Sequence, residues 1–144
     1  MKKNLIMLVA ILASFASCDK KADKVQELET EVLAIHDEVM PQMDDIMSLK
    51  SQLSKKIQSM DSLQNEGVSS NTTAEARIKA VDLNQRLNES DKLMMDWMHA
   101  YRGDSAKKLN PEAAVLYFEQ QKEKILLVKQ QTVKAIEETK TFLE

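Results

Sequence analysis

This 144-residue chain predicts an all-α fold, an up-down-up antiparallel three-helix bundle, and three observations carry that expectation. Apolar residues recur at three- and four-residue steps over long stretches. Only two Gly and two Pro punctuate the chain, too few to supply a phosphate-cradling loop and the turns of an α/β fold or β-sandwich. Aromatic residues make up 4% while Met numbers nine, a poor composition for strands. The single Cys excludes an intrachain disulfide framework and any Cys-based zinc or iron–sulfur cluster.

The first segment is read as an address. Lys2 and Lys3 precede the run Leu5 to Ala16, in which eleven of twelve residues are apolar. A basic start followed by so short an apolar run is a secretory signal, not a membrane span. Phe15-Ala16-Ser17-Cys18 then resembles the bacterial lipobox, in which small residues precede an obligatory Cys; Phe15 stands where an aliphatic residue is usual. The resemblance implies a lipoprotein signal peptide over 1–17, cleavage after Ser17, and acylation of Cys18, with a palmitate-class chain among the anchors. Two or more acyl chains hold a protein stably on a bilayer where one does not. The expected address is the cell envelope, with the outer membrane preferred to the inner, facing the periplasm or the cell surface.

From Ala22 to Leu63 the apolar positions form one long amphipathic helix, interrupted by Pro41. Proline removes a helical hydrogen bond and crowds the carbonyl of Asp37, so a bend is expected there, with no reversal. Gly67 ends this helix. Thr72-Thr73-Ala74-Glu75 reads as a capping box with Thr72 as N-cap. The second helix runs to Tyr101, with Gly103 as a C′ stop. Asn110-Pro111-Glu112 opens the third helix with an N-cap, a proline at N1 and an early acid.

Short loops make sequential helices antiparallel neighbours. The first hairpin then sets Met40 level with Met98 and Met43 with Met95; the second sets Met95 level with Phe118 and Met98 with Val115. By the same register the first helix outruns the second, leaving residues 18–35 as a lipidated tether and stalk, ahead of a bundle over 36–144. The seam Val25, Leu28, Val32, Ile35 has two readings: a bare stalk, or a parallel coiled coil forming a homo-oligomer.

The chemistry-bearing residues are few. His36, Met40 and Met43 share a stripe with Met47, and Met95, Met98 and His99 lie across the hairpin beside Met94 and Trp97. Thioether and imidazole ligands suit Cu(I), and His or Met serve haem iron. The simpler reading is packing, since Met fills irregular core gaps such as those beside a kink. Asp44-Asp45, Glu137-Glu138 and Asp37-Glu38 read as solvated faces, since adjacent helical residues diverge. No Gly-x-Ser-x-Gly, His-Glu-x-x-His or phosphate loop is present, so no enzyme is expected. A formal charge of −3 without basic clusters excludes a nucleic-acid partner.

The segments Ile35-His36-Asp37-Glu38-Val39-Met40-Pro41-Gln42-Met43 and Met95-Asp96-Trp97-Met98 resemble small Bacteroidetes lipoproteins often labelled "viral A-type inclusion protein". The label reflects generic coiled-coil similarity. The resemblance implies a lipid-anchored helical protein and brings no activity or functional residues with it.

The expectation is therefore a non-catalytic envelope lipoprotein acting as a structural or interaction module. The alternative is an extracytoplasmic Met/His protein for Cu(I) or haem.

Overall fold

The structure, a computed structural model, describes the backbone of residues 2–144 and the side chains of residues 21–144; the side chains of the expected leader 1–17 and of Cys18 lie outside the described residues. The chain is an all-α helical bundle. Its helices are α1 (Lys2–Val39), α2 (Gln42–Asn65), α3 (Asn71–Ala100), the single turn α4 (Gly103–Ala106) and α5 (Pro111–Leu143). The long first helix of the sequence reading is α1 and α2 together. The Met40 amide still bonds to the His36 carbonyl at 2.9 Å, and the Met43 amide reaches the Met40 carbonyl, three residues back, at 3.1 Å. Pro41 keeps a helical backbone, φ −62° and ψ −24°, so the chain bends without reversing.

The ends of the helices show which local signals operate. Gly67 has φ +74°. The Val68 amide reaches the Leu63 carbonyl and the Gly67 amide reaches that of Gln64, the paired bonds of a Schellman cap. Helix α3 is capped by Ser70, whose Oγ accepts from the Thr73 amide at 3.2 Å. The cap therefore sits two residues before the expected Thr72. Asn110 caps α5 as expected, its Oδ1 accepting from the Ala113 amide at 3.0 Å. Gly103 is not a left-handed stop. It is needed because Tyr101 folds over it: a Cβ there would lie 2.6 Å from the Tyr101 hydroxyl.

The chain divides into two compact units. Unit 2 comprises Ile35–Ala100 with Ile125–Glu144. Its core is Ile46, Leu49 and Leu53 of α2, Ala80, Leu83 and Leu87 of α3, and Ala135 and Ile136 of α5. The three-step and four-step spacings put these residues on one stripe of each helix. Arg86 of α3 meets Glu138 of α5 at 2.8 Å, while Lys129–Glu38 and Lys140–Asp45 tie α5 to α1 and α2 at 2.7 and 2.8 Å. The last two pairings ascend together in residue number, so α5 runs parallel to α1 and α2 and antiparallel to α3.

Unit 1 comprises residues up to Ala34 with Tyr101–Lys124 and contains no part of α3. Within this unit the N-terminal part of α1 is not bare. Leu28 of α1 packs with Ala106 of α4 and Phe118 of α5, with Val25, Tyr101, Val115 and Tyr117 around them. Lys21–Glu112, Lys107–Glu29 and Lys122–Glu31 join the same elements at 2.5, 2.9 and 2.7 Å. Leu28 is 3% and Val32 0% exposed. The seam read as an open oligomer contact is thus filled within one chain.

The second register is the reason. The expected pairing of Met95 with Phe118 assumed a tight reversal near residue 106, which would set Arg86 about three helical turns short of its observed partner Glu138. Residues 101–110 do not reverse there. The Arg102 amide donates to the Tyr117 hydroxyl at 2.6 Å, and Tyr101 and Ala106 pack on Leu28 and Phe118. The connector forms a wall of unit 1, and α5 begins beside Lys21.

Candidate functional site

The Pro41 bend closes α1 just after His36, and α3 ends just after Met98. These two helix ends, both in unit 2, bring together a pair far apart in sequence. His36 Nε2 lies 3.4 Å from Met98 Sδ. Its other nitrogen, Nδ1, lies 2.9 Å from Asp37 Oδ1. The Trp97 ring stands 5.5 Å from the imidazole, centroid to centroid, tilted by 30°. Trp97 is buried at 7% exposure, and the His36 side chain keeps 21%. The imidazole is therefore held on three sides and reachable from solvent on the fourth.

A carboxylate only accepts hydrogen bonds, so Nδ1 carries the proton in its contact with Asp37. In the neutral ring Nε2 then presents its lone pair to the thioether; in the imidazolium Nε2–H donates to sulfur. One nitrogen and one sulfur converge on a single small space.

The remaining residues of the expected layer divide. His36 meets Met98 one helical turn before the expected partner Met40, which is half-buried. Met43 packs against the unit 2 core and Met94 is fully buried, both acting as core filler. Met95 at 43% and Met47 at 61% face solvent, as does His99. Phe118 belongs to unit 1. The layer is thus one His–Met contact beside Trp97, with the other thioethers elsewhere.

Among the described residues no group of three or more His, Cys, Asp and Glu is placed to hold a metal ion. An axial His–Met pair on a haem would stand on opposite faces of the iron, about 4.3 Å apart. The 3.4 Å contact leaves no room for a macrocycle between them.

Asp37 is the residue that sequence reasoning misses, because adjacent helical residues diverge and Asp37-Glu38 reads as a solvated face. It is 77% exposed, yet its carboxylate reaches back to the neighbouring ring. An Asp directly after a His in the last turn before a proline is the signal that was available. Other acids of the expected solvated faces join pairs between helices: Glu38 with Lys129, Asp45 with Lys140, Glu138 with Arg86.

Unit 1 holds an open cleft of about 420 Å³ lined by Val25, Gln26, Glu29, Lys107, Leu109 and Ala114, among others. Its acid and base are already matched, Lys107 bonding Glu29 at 2.9 Å and Asp104 at 3.1 Å. Nearby Tyr101 has its phenol pushed up to about 12, first by burial and then by the Glu29 charge. Its ring packs in the unit 1 cluster with Leu28 and Phe118. No helix among the described residues is long and apolar enough to cross a membrane.

No protein-family model matches the chain, and neither a curated protein nor a solved structure matches it.

Proposed function

We propose that this chain is a lipid-anchored protein of the bacterial cell envelope, acting as a non-catalytic structural or interaction module. One observation carries the reading: the only Cys follows Ala16-Ser17 directly at the end of an apolar run that begins after Lys2-Lys3. The resemblance to small Bacteroidetes lipoproteins is in keeping with a lipid anchor, and the outer membrane is the proposed site of attachment.

Only Asp19 and Lys20 separate Cys18 from Lys21, which pairs with Glu112. Three backbone steps reach about 11 Å at most. The anchor therefore holds unit 1 close against the membrane surface, not at the end of a long stalk. Self-association through Val25, Leu28, Val32 and Ile35 is not part of the proposal, since Leu28 and Val32 lie in the core of the single chain. A non-catalytic role is supported by the use of charged groups: Glu31, Glu38, Asp45 and Glu138 each bond a basic partner on another helix.

Metabolic labelling with a palmitate analogue tests the anchor. Wild-type protein incorporates label and sediments with membranes. Cys18→Ser abolishes incorporation and moves the protein to the soluble fraction if the leader is still cut, or leaves an unlabelled precursor if it is not. Labelling that persists in Cys18→Ser would sink the proposal.

A further inference from the structure

We infer that His36 and Met98 form a binding site for a soft monovalent metal ion, Cu(I), with Asp37 as the positioning residue and Trp97 as its wall. The inference stands apart from the lipid anchor, because every residue it uses lies in unit 2 and none depends on Cys18.

The space between Nε2 and Sδ accommodates one cation. A proton fills it when the ring is an imidazolium. A soft metal ion fills it when the ring is neutral. The 3.4 Å separation, with metal–nitrogen and metal–sulfur bonds of about 2.0 and 2.3 Å, corresponds to an angle near 105° at a shared ion. A small outward rotation of either side chain opens that angle toward a trigonal arrangement, and the exposed edge of His36 leaves the third position to solvent.

Ligand type selects the ion. A thioether is a soft donor and favours Cu(I), whereas hard and borderline divalent ions want carboxylates, thiolates or several imidazoles. The described residues gather no such cluster.

The second interaction of the ring has the form seen behind metal-bound histidines, in which the far nitrogen donates to a carboxylate and so fixes tautomer and orientation. Asp37 supplies that bond at 2.9 Å. The Trp97 ring, 5.5 Å from the imidazole between centroids, stands beside it and restricts its rotation.

The experiment is an anaerobic titration of the full-length protein in detergent with Cu(I) against a chromophoric chelator, followed by Trp97 emission, the chain's single tryptophan. The expected result is one ion per chain and quenching that saturates at one equivalent. Met98→Leu and His36→Ala each lower affinity by at least about 100-fold. Asp37→Asn lowers it by about 10- to 100-fold. Met47→Leu, on an exposed position, leaves it unchanged.

Long-range proton–nitrogen spectra of the imidazole give a second readout that needs no variant. With Ag(I) as a spectroscopic stand-in, Nε2 takes the metal-bound shift while Nδ1 stays protonated. The inference is overturned by the absence of stoichiometric binding to wild type, by binding that survives both Met98→Leu and His36→Ala, or by metal on Nδ1. Zn(II) binding more tightly than Cu(I) would equally overturn it. None of these outcomes bears on palmitate labelling at Cys18.

Discussion

Thr132 and Thr139 both lie on α5 at 0% exposure, and they differ in one atom's surroundings. The Thr139 hydroxyl donates to the Ala135 carbonyl one turn back at 2.7 Å. The Thr132 hydroxyl is buried with no hydrogen-bond partner. A buried hydroxyl without a partner loses its water and gains nothing in return. Thr132→Val is therefore expected to raise unfolding stability by about 1 kcal/mol, while Thr139→Val changes it by less than about half that. Equilibrium denaturation in urea measures both, and equal effects would refute the assignment. The same scale decides the His36 site. Residue type and helical spacing announced a thioether–imidazole pairing, and His36 with Met98 is legible in the chain. Packing, the simpler reading, holds for Met43 and Met94; that Met47 and Met95 would face solvent was not legible. Helical spacing places a residue on a stripe, but the neighbouring helix decides which edge of the stripe is covered.

Helix ends tell a similar story at the level of elements. Asn110-Pro111 works as its chemistry demands, because proline at N1 admits almost no other reading. Around residue 70 the chain offers Ser69, Ser70, Asn71, Thr72 and Thr73 in succession, all capable caps. The backbone chooses Ser70, its carbonyl accepting from the Ala74 amide while its side chain accepts from Thr73. Ser70→Ala should cost about 1 kcal/mol, and Thr72→Ala only a few tenths, as read by thermal melts of the two variants. A larger loss at Thr72 would restore the capping box to the expected place. Gly103 makes the opposite point. Its absence of side chain is required, as the Tyr101 ring above it shows, but for close approach and not for a left-handed turn. A glycine's reason is visible only once its neighbours are placed.

Across the whole molecule, α5 is tied to the first helical segments by ion pairs, with Lys21–Glu112 and Lys122–Glu31 in unit 1. The hydrogen bond from Lys122 holds the Glu31 carboxyl below its ordinary range, and that from Lys21 does the same for Glu112. A carboxyl lowered in the folded state contributes stability above its unfolded value, and that contribution is lost as pH falls through its folded value. Exposed pairs contribute little singly and are screened by salt. The melting temperature is expected to hold from neutral pH into the mildly acidic range and to fall below the ordinary glutamate range. A Glu31→Gln, Glu112→Gln double variant should show a shallower acid slope. Circular-dichroism melts across a pH series at low salt check this, and parallel slopes would break the linkage.

What the sequence determined by itself was the class and the local grammar. Periodicity, with Gly and Pro almost absent, left only long amphipathic helices; Pro41 placed the bend, Gly67 the turn, Asn110 the start of α5. These are local effects, written within a few residues of where they act. The tertiary structure alone decided how α5 pairs with α1. The connector after α3 carries Tyr101 and Ala106, which pack against Leu28 and Phe118. A seam that spacing left open was thereby closed within one chain. Burial of apolar surface depends on which partner arrives, and a single helix's pattern does not name its partner.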